Sequence, residues 1–144
     1  MQIENFKIEK YEEVLNLWKE TSITITSSES EKEVERMVER NPKLCLVGKL
    51  DNKIIAVVFG GFDGRRGYVH HLAVKPIYQK RGYGKKIMLE LLNRFKELEV
   101  HKLHLFVEKR NQEVITFYRN MGWELRDDLE MMSYIPDKNF YTKK

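Results

Sequence analysis

The stretch Leu72-Ala73-Val74-Lys75-Pro76-Ile77-Tyr78-Gln79-Lys80-Arg81-Gly82-Tyr83-Gly84-Lys85 decides how this chain is read. An apolar, strand-like run ends at Pro76. A short basic loop follows, and Gly82 and Gly84 lead straight into a helix-forming run. Glycine lets a backbone approach an anion closely. The first turn of a helix adds unpaired N–H groups and the positive end of the helix dipole. Lys80, Arg81, Lys85 and Lys86 surround that point with positive charge. Together these make a seat for a phosphate or pyrophosphate that requires no metal. Two better-known phosphate loops do not fit. The dinucleotide fingerprint G-x-G-x-x-G fails because Gly84 is followed by Lys85, Lys86 and Ile87. The Walker pattern fails because Lys86 follows Gly84-Lys85 and Gln79 stands where its first glycine belongs.

Upstream of this loop, Tyr68 to Val74 reads as a strand, marked off by Gly60-Gly61, Asp63-Gly64 and Gly67. Residues 44–50 and 53–61 are strand-like runs joined at Asp51-Asn52, which predicts a hairpin. A charged helix ends before Pro42. It carries Val34, Met37 and Val38 on one side, and Ser28 with Glu31 is its predicted capping box. Thr21 to Thr26 alternates Thr or Ser with Ile and reads equally as loop or strand. Ile8, Tyr11, Leu15 and Trp18 recur at helical spacing, and Ile3 to Phe6 forms a short first strand. Downstream, Ile87, Leu91, Phe95 and Leu98 share one helical face, and Lys102 to Val107 reads as a strand. A short helix runs from Asn111 or Gln112 to Met121 and stops at Gly122. Trp123 to Arg126 and Leu129 to Ile135 predict a last hairpin turning at Asp127-Asp128.

The element order is then β-α-α-β-β-β-α-β-α-β-β. It predicts an α/β fold: a mixed, mostly antiparallel central sheet flanked by helices, with one crossover through the long helix making a locally parallel pair. Residues 1–144 contain no repeat, linker or low-complexity segment, so they read as a single domain.

Composition narrows the function classes. The chain is 42% hydrophobic and 33% charged, which suits a packed domain and excludes a disordered or collagen-like one. No apolar run approaches the roughly 20 residues needed to cross a bilayer. The acidic start carries no apolar leader, so no membrane attachment and a cytoplasmic location are expected. Cys45 is alone, cannot close an internal disulfide, and sits in the strand-like run Leu44-Cys45-Leu46-Val47, where it reads as core. No metal-ligand spacing is present. The net charge of +4 is uneven: residues 1–42 carry six Lys/Arg against ten Asp/Glu, and the remainder carry twenty against twelve. Lys75 to Lys86 is the densest basic stretch. It lacks the helix-turn-helix, aromatic strand or zinc context of a nucleic-acid module, so no nucleic-acid partner is expected.

At this point the residues carry a resemblance. Gln79-x-x-Gly82-x-Gly84, preceded by Leu72-Ala73-Val74-x-Pro76-x-Tyr78, resembles the acyl-CoA pyrophosphate loop of the GCN5-related N-acetyltransferase (GNAT) family. Asn111, Phe117-Tyr118, Gly122 and Trp123 resemble that family's second signature. The resemblance implies a GNAT-like sheet whose strands at 68–74 and 102–107 part beyond a bulge to admit acetyl-CoA. It implies cofactor contacts from Leu72, Ala73 and Val74, which line the pantetheine arm. The pyrophosphate would be held by Gln79, Lys80, Arg81, Gly82, Tyr83, Gly84 and Lys85. Asn111, Phe117 and Tyr118 would complete the cofactor site. The implied reaction is direct attack of a primary amine on the thioester, with a strand N–H facing the oxyanion and Tyr118 protonating the departing thiolate.

Other candidates are weighed against plainer roles. His70 and His71 are neighbours on a strand, so one is expected on each face, and either could serve as base or as structural residue. Glu108 is a third base candidate, or a partner for Lys109 or Arg110. Asp63, Arg65 and Arg66 read as acceptor-lining residues or as solvent-facing turn. Relatives that acetylate ribosomal-protein N-termini carry glutamate where this chain has Phe106, so the resemblance does not extend to that acceptor. A small-molecule or peptide amine is expected. The last strands and free sheet edge offer a surface where two copies could form a homodimer. The competing reading is a non-catalytic acyl-CoA-binding or regulatory domain on the same scaffold.

Overall fold

The computed structural model describes residues 1–143. Five strands form one sheet: β1 (Gln2–Asn5), β2 (Cys45–Leu50), β3 (Lys53–Phe62), β4 (Gly67–Val74) and β5 (Leu103–Leu105). They lie in chain order. The first three pairings are antiparallel, and β4 pairs with β5 in parallel. Four helices pack on it: α1 (Tyr11–Glu20), α2 (Glu31–Arg40), α3 (Tyr83–Glu97) and α4 (Gln112–Asn120). The β2–β3 turn is tight because Asp51 and Asn52 both adopt left-handed φ, 49° and 66°. That is the two-residue geometry whose twist matches a hairpin. The parallel pair requires a crossover, and α3 supplies it.

The sheet is covered on both faces. On one, Val14, Leu17 and Trp18 of α1 and Val34 of α2 pack against Cys45, Val47, Val57, Phe59 and Ala73. On the other, Ile87, Met88, Leu91 and Phe95 of α3 and Tyr118 of α4 pack against Leu46, Ile55, Val58 and Val69. Each fully buried side chain of this size contributes about 1.5–3 kcal/mol of transfer free energy. Cys45 is part of this core. Burial pushes its thiol up to about 12, so it is held as a neutral thiol and reads as packing. Among the described residues no helix is long and apolar enough to cross a membrane.

Four expectations are corrected. The capping box is Thr26 with Glu29, which heads a short 3-10 turn at Ser27–Glu29, and Ser30 caps α2 by accepting from the Glu33 N–H. The chain therefore turns two residues earlier than the Ser28–Glu31 reading. Leu98 lies beyond α3 as its C-terminal cap and is half exposed, because the helix ends before its face reaches the sheet. The strand expected over 102–107 closes after Leu105, leaving Phe106 exposed. The last hairpin does not form. Within 129–135, Leu129, Met131, Met132, Tyr134 and Ile135 place apolar side chains at both odd and even positions. Such a strand needs cover on both faces, and beyond the three-residue β5 no helix provides it. Residues 123–142 run outside the sheet instead. Their end is tied to the α1–α2 connection, where the Ser27 N–H donates to the Thr142 carbonyl (2.7 Å) and the Thr142 N–H donates to Ser27 Oγ (2.9 Å).

Candidate active site

The loop after β4 has the geometry of a candidate anion cradle. Pro76–Tyr78 makes one 3-10 turn, and Gln79 is pinned by its side-chain amide donating to the Val74 carbonyl at 2.9 Å. Lys80 and Gly82 then take left-handed φ of 61° and 87°, which turns the backbone into α3. Glycine adopts that conformation without a Cβ penalty. The N–H groups of Arg81 and Gly82 donate to no other described residue. Those of Tyr83, Gly84 and Lys85 head the helix, where no intrahelical carbonyl reaches them. The first closed bond is from the Lys86 N–H to the Gly82 carbonyl, at 3.0 Å. A run of free donors thus faces outward at the positive end of a helix. Arg81 lies over the Tyr78 ring at 5.7 Å, and Lys80 reaches Glu113 of α4 at 3.4 Å. Gly84 lets α4 approach: a Cβ there would sit 3.6 Å from the Phe117 ring and 3.5 Å from Val74.

Between cradle and sheet centre the strands part. β4 and β5 pair only from Gly67 with Leu103 to Val69 with Leu105. Beyond Val69 the β5-facing edge of β4, including Leu72 and Val74, has no strand beside it. An unpaired edge of this kind accepts an extended polar chain as an added strand. The cause is a bulge. Val57 pairs with Ala73 and Phe59 with His70, so Val58 alone stands opposite both His71 and Leu72. His71 absorbs the extra residue with φ of 53°. A bulge bends and twists its strand, which swings the end of β4 away from β5.

The bulge also corrects the reading of the two histidines. Strict alternation would put them on opposite faces. Instead both face α1 and α2. His71 packs edge-on against Trp18 at 5.1 Å. His70 stacks near Tyr68, and its Nε2, with Met37 of α2, closes over Gly61. His71 Nε2 lies 3.0 Å from Glu29 Oε1. The Glu29 carboxylate also accepts from the Thr26 N–H (2.8 Å) and Thr26 Oγ1 (2.7 Å), while its carbonyl accepts from the Tyr11 hydroxyl (2.6 Å). Burial alone would raise the Glu29 carboxyl. The bonds from His71 and Thr26 outweigh it and hold the group below its ordinary value. His70 is displaced the other way: burial, with the neighbouring His71, lowers its pKa and favours the neutral imidazole.

Tyr118 lies on the opposite side of the sheet, in the same apolar cluster as Leu72, Val74 and Phe117. Its ring meets Phe117 at 5.2 Å and Trp123 at 5.8 Å. Burial alone pushes its hydroxyl up to about 12, with no hydrogen bond or charge contributing. A buried tyrosine normally spends its hydroxyl on a partner, and this one is left available. The structure thus brings Leu72 to Lys85, Phe117 and Tyr118 together around α3, and sets His70 and His71 across the sheet. Ala73 is buried towards α1 and adds backbone only. Asn111 caps α4 through its position, with no side-chain cap bond. Glu108 lies past β5, exposed and paired with Arg110 at 2.6 Å. Sequence reasoning passed over Glu29, although Thr26-x-x-Glu29 is itself a capping-box spacing.

Comparison with known proteins bears on the same residues. A family profile described as Acetyltransferase (GNAT) family matches residues 11–123. The chain is 30% identical over 129 residues to an acetyltransferase of Yersinia pestis, covering 90% of this chain and 92% of that one. A GNAT family acetyltransferase from Streptococcus pneumoniae superposes with TM-score 0.74 at 25% identity, covering 95% of this chain and 98% of that one. The PaiA N-acetyltransferase of Thermoplasma acidophilum, solved with coenzyme A, shares the fold with TM-score 0.78 at 20% identity, covering 88% and 92%.

Proposed function

The chain belongs to the acetyltransferase (GNAT) family, whose chemistry is acetyl-CoA-dependent acetyl transfer, and from that premise we propose that it acetylates a primary amine by direct attack, with Tyr118 as general acid. The observation that carries this reading is the unspent Tyr118 hydroxyl beside the parted strands. The residues fit acetyl-CoA on their own geometry: the free N–H run at Arg81 to Lys85 suits a pyrophosphate, and the bare edge of β4 suits a pantetheine arm. When bound, acetyl-CoA supplies an activated acetyl group and a thiolate leaving group.

Two jobs remain for side chains. With its hydroxyl pushed up to about 12, Tyr118 stays protonated across the working range and is a donor to the leaving sulfur. On the other face an ammonium acceptor must lose a proton before it can attack. His71 is suited to take that proton. With Glu29 ionised, its Nε2 carries the hydrogen of their shared bond, and Nδ1 is left to accept. Tyr118 and His71 lie on opposite faces of the sheet, so the proposed acid and base would approach the thioester from different sides. The test is calorimetric titration with acetyl-CoA against ADP, followed by thiol release with a panel of amines. Saturable binding poorly matched by ADP, and amine-dependent thiol release, are expected. Absence of acetyl-CoA binding at low salt overturns the proposal.

A further inference from the structure

The face of the sheet turned towards α1 and α2 carries two rows of side chains beside the parted strands. On β4, Gly67 and Val69 point to the α3 side, where a Cβ on Gly67 would run into Leu103 and Phe95, and Val69 is buried in that cluster. Alternation then puts Tyr68 and His70 on the other face, and Arg66, in the turn just before β4, lies near enough to His104 to act on it with Lys102. Across the parallel pairing, Tyr68 stands opposite His104, and their rings approach to 5.8 Å. On β5 the matching side chain is His104, with Lys102 just before the strand and the exposed Phe106 just after it. Cations therefore precede both strands, the Tyr68 and His104 rings follow them, and the β4 row continues through His70 to the bulge at His71.

The cations are positioned by the backbone. Asp63 Oδ1 accepts the N–H groups of both Arg65 and Arg66 at 2.7 Å, and the Gly67 N–H donates to the Lys102 carbonyl at 3.2 Å. Arg66, Lys102, Arg65 and Arg126 all act on His104, which burial and these charges together keep below its ordinary pKa. Among the described residues no carboxylate forms an ion pair with Arg65, Arg66 or Lys102. Asp63 accepts the two backbone N–H groups and also faces Arg65, while Asp128, held by Arg126 at 3.0 Å, also faces Lys102, so Arg66 is the cation of the three with no carboxylate acting on it.

Resting on the acetyltransferase reading above, we propose that the acceptor is a primary amine that also bears an anionic group, carboxylate or phosphate, and that Arg66 and Lys102 bind that group while the amine reaches the bulge. Four residues of strand separate Arg66 from His70, about 13 Å. The amine and the anion are therefore several bonds apart, which fits an amino-sugar phosphate or an ω-amino acid better than an α-amino acid.

The test pairs each anionic amine with its neutral counterpart: amino-sugar phosphates with amino sugars, and amino acids with their amides. The anionic member is expected to show the higher kcat/KM. Arg66→Gln should raise its KM on the order of 10- to 100-fold, the loss of one charge-assisted bond, and so collapse the preference for the anionic over the neutral member, with acetyl-CoA affinity retained. Whether phosphate or carboxylate members respond identifies the anion. A binding readout stands beside turnover: inorganic phosphate titrated onto the CoA complex, with its cradle filled, should shift the His104 ring signals in NMR, and Arg66→Gln should abolish the shift. Preference for neutral or polycationic amines, an unchanged ratio in Arg66→Gln, or no phosphate response overturns the anion site. If acetyl-CoA itself fails to bind, it is the acetyltransferase reading that falls.

Discussion

Replacing Tyr118 with phenylalanine removes one oxygen, and the structure separates its possible effects cleanly. The ring stays packed against Phe117 and Trp123. The hydroxyl engages no described residue, so its loss leaves no orphaned partner. A structural hydroxyl with a typical hydrogen bond would contribute about 1 kcal/mol, worth roughly 3 °C in melting temperature for a chain of this size. For Tyr118→Phe no such drop is expected. Turnover should fall on the order of 10²- to 10⁴-fold, the usual contribution of a positioned acid, with acetyl-CoA affinity retained. The pH behaviour follows the same logic. A folded hydroxyl near 12 against an ordinary value of 10 makes no difference to the pH dependence below 10, and stability falls progressively as pH rises from 10 through 12. Tyr118 therefore adds no limb to the rate profile in the neutral range. Calorimetry, steady-state thiol release and a thermal melt on one preparation check all three. A melting temperature several degrees lower, or parallel losses in binding and turnover, would refute the acid role.

Gly82→Ala should keep the fold, since a Cβ there meets nothing within 4 Å, yet weaken acetyl-CoA binding. An alanine relaxes out of φ 87° in the free loop and must be returned to it on binding, at about 1–2 kcal/mol, so calorimetry should show roughly 5- to 30-fold weaker binding. Glu29→Gln should change the acid side of the stability curve. The folded carboxyl lies below its ordinary 4.5, so its contribution is present above that value and lost as pH falls through the folded pKa. Thermal melts over the acid range should show a shallower decline in the variant than in wild type, since Glu4, Asp63 and Asp128 are also held low and remain, and at neutral pH the variant should be about 1 kcal/mol less stable.

Much of the fold was legible because local chemistry and tertiary packing agree. Asp51-Asn52 supports left-handed φ at both turn positions, Gly122 ends α4 with φ of 94°, and Ile87, Leu91 and Phe95 all bury on one face. The cradle was legible for the same reason: Gly82, Gly84 and the cations around them lie close together in the chain. What escaped depends on residues distant in sequence. Whether Glu29 or Glu31 completes a capping box is settled by Tyr11 and His71, which grip Glu29 from two other elements. The apolar run at 129–135 looks strand-like by propensity, but a strand also needs a partner edge and cover, and neither can be read from the run itself.

The bulge in β4 links these points. Histidine is among the few non-glycine residues that tolerate left-handed φ, and His71 uses that tolerance to take in one extra residue opposite Val58. The insertion has two consequences. It carries the end of β4 away from β5, opening the edge on which Leu72 and Val74 present free backbone groups. It also cancels the alternation that would have hidden one histidine on the α3 side, so His70 and His71 both look towards Glu29, Trp18 and the rows ending at Arg66 and Lys102. A straight strand of the same composition would have neither the gap nor both histidines on the face turned towards α1 and α2. The single irregularity in β4 thus puts the opening between the face that carries Tyr118 and the face that carries both histidines, the separation on which the proposed acid and base roles rest.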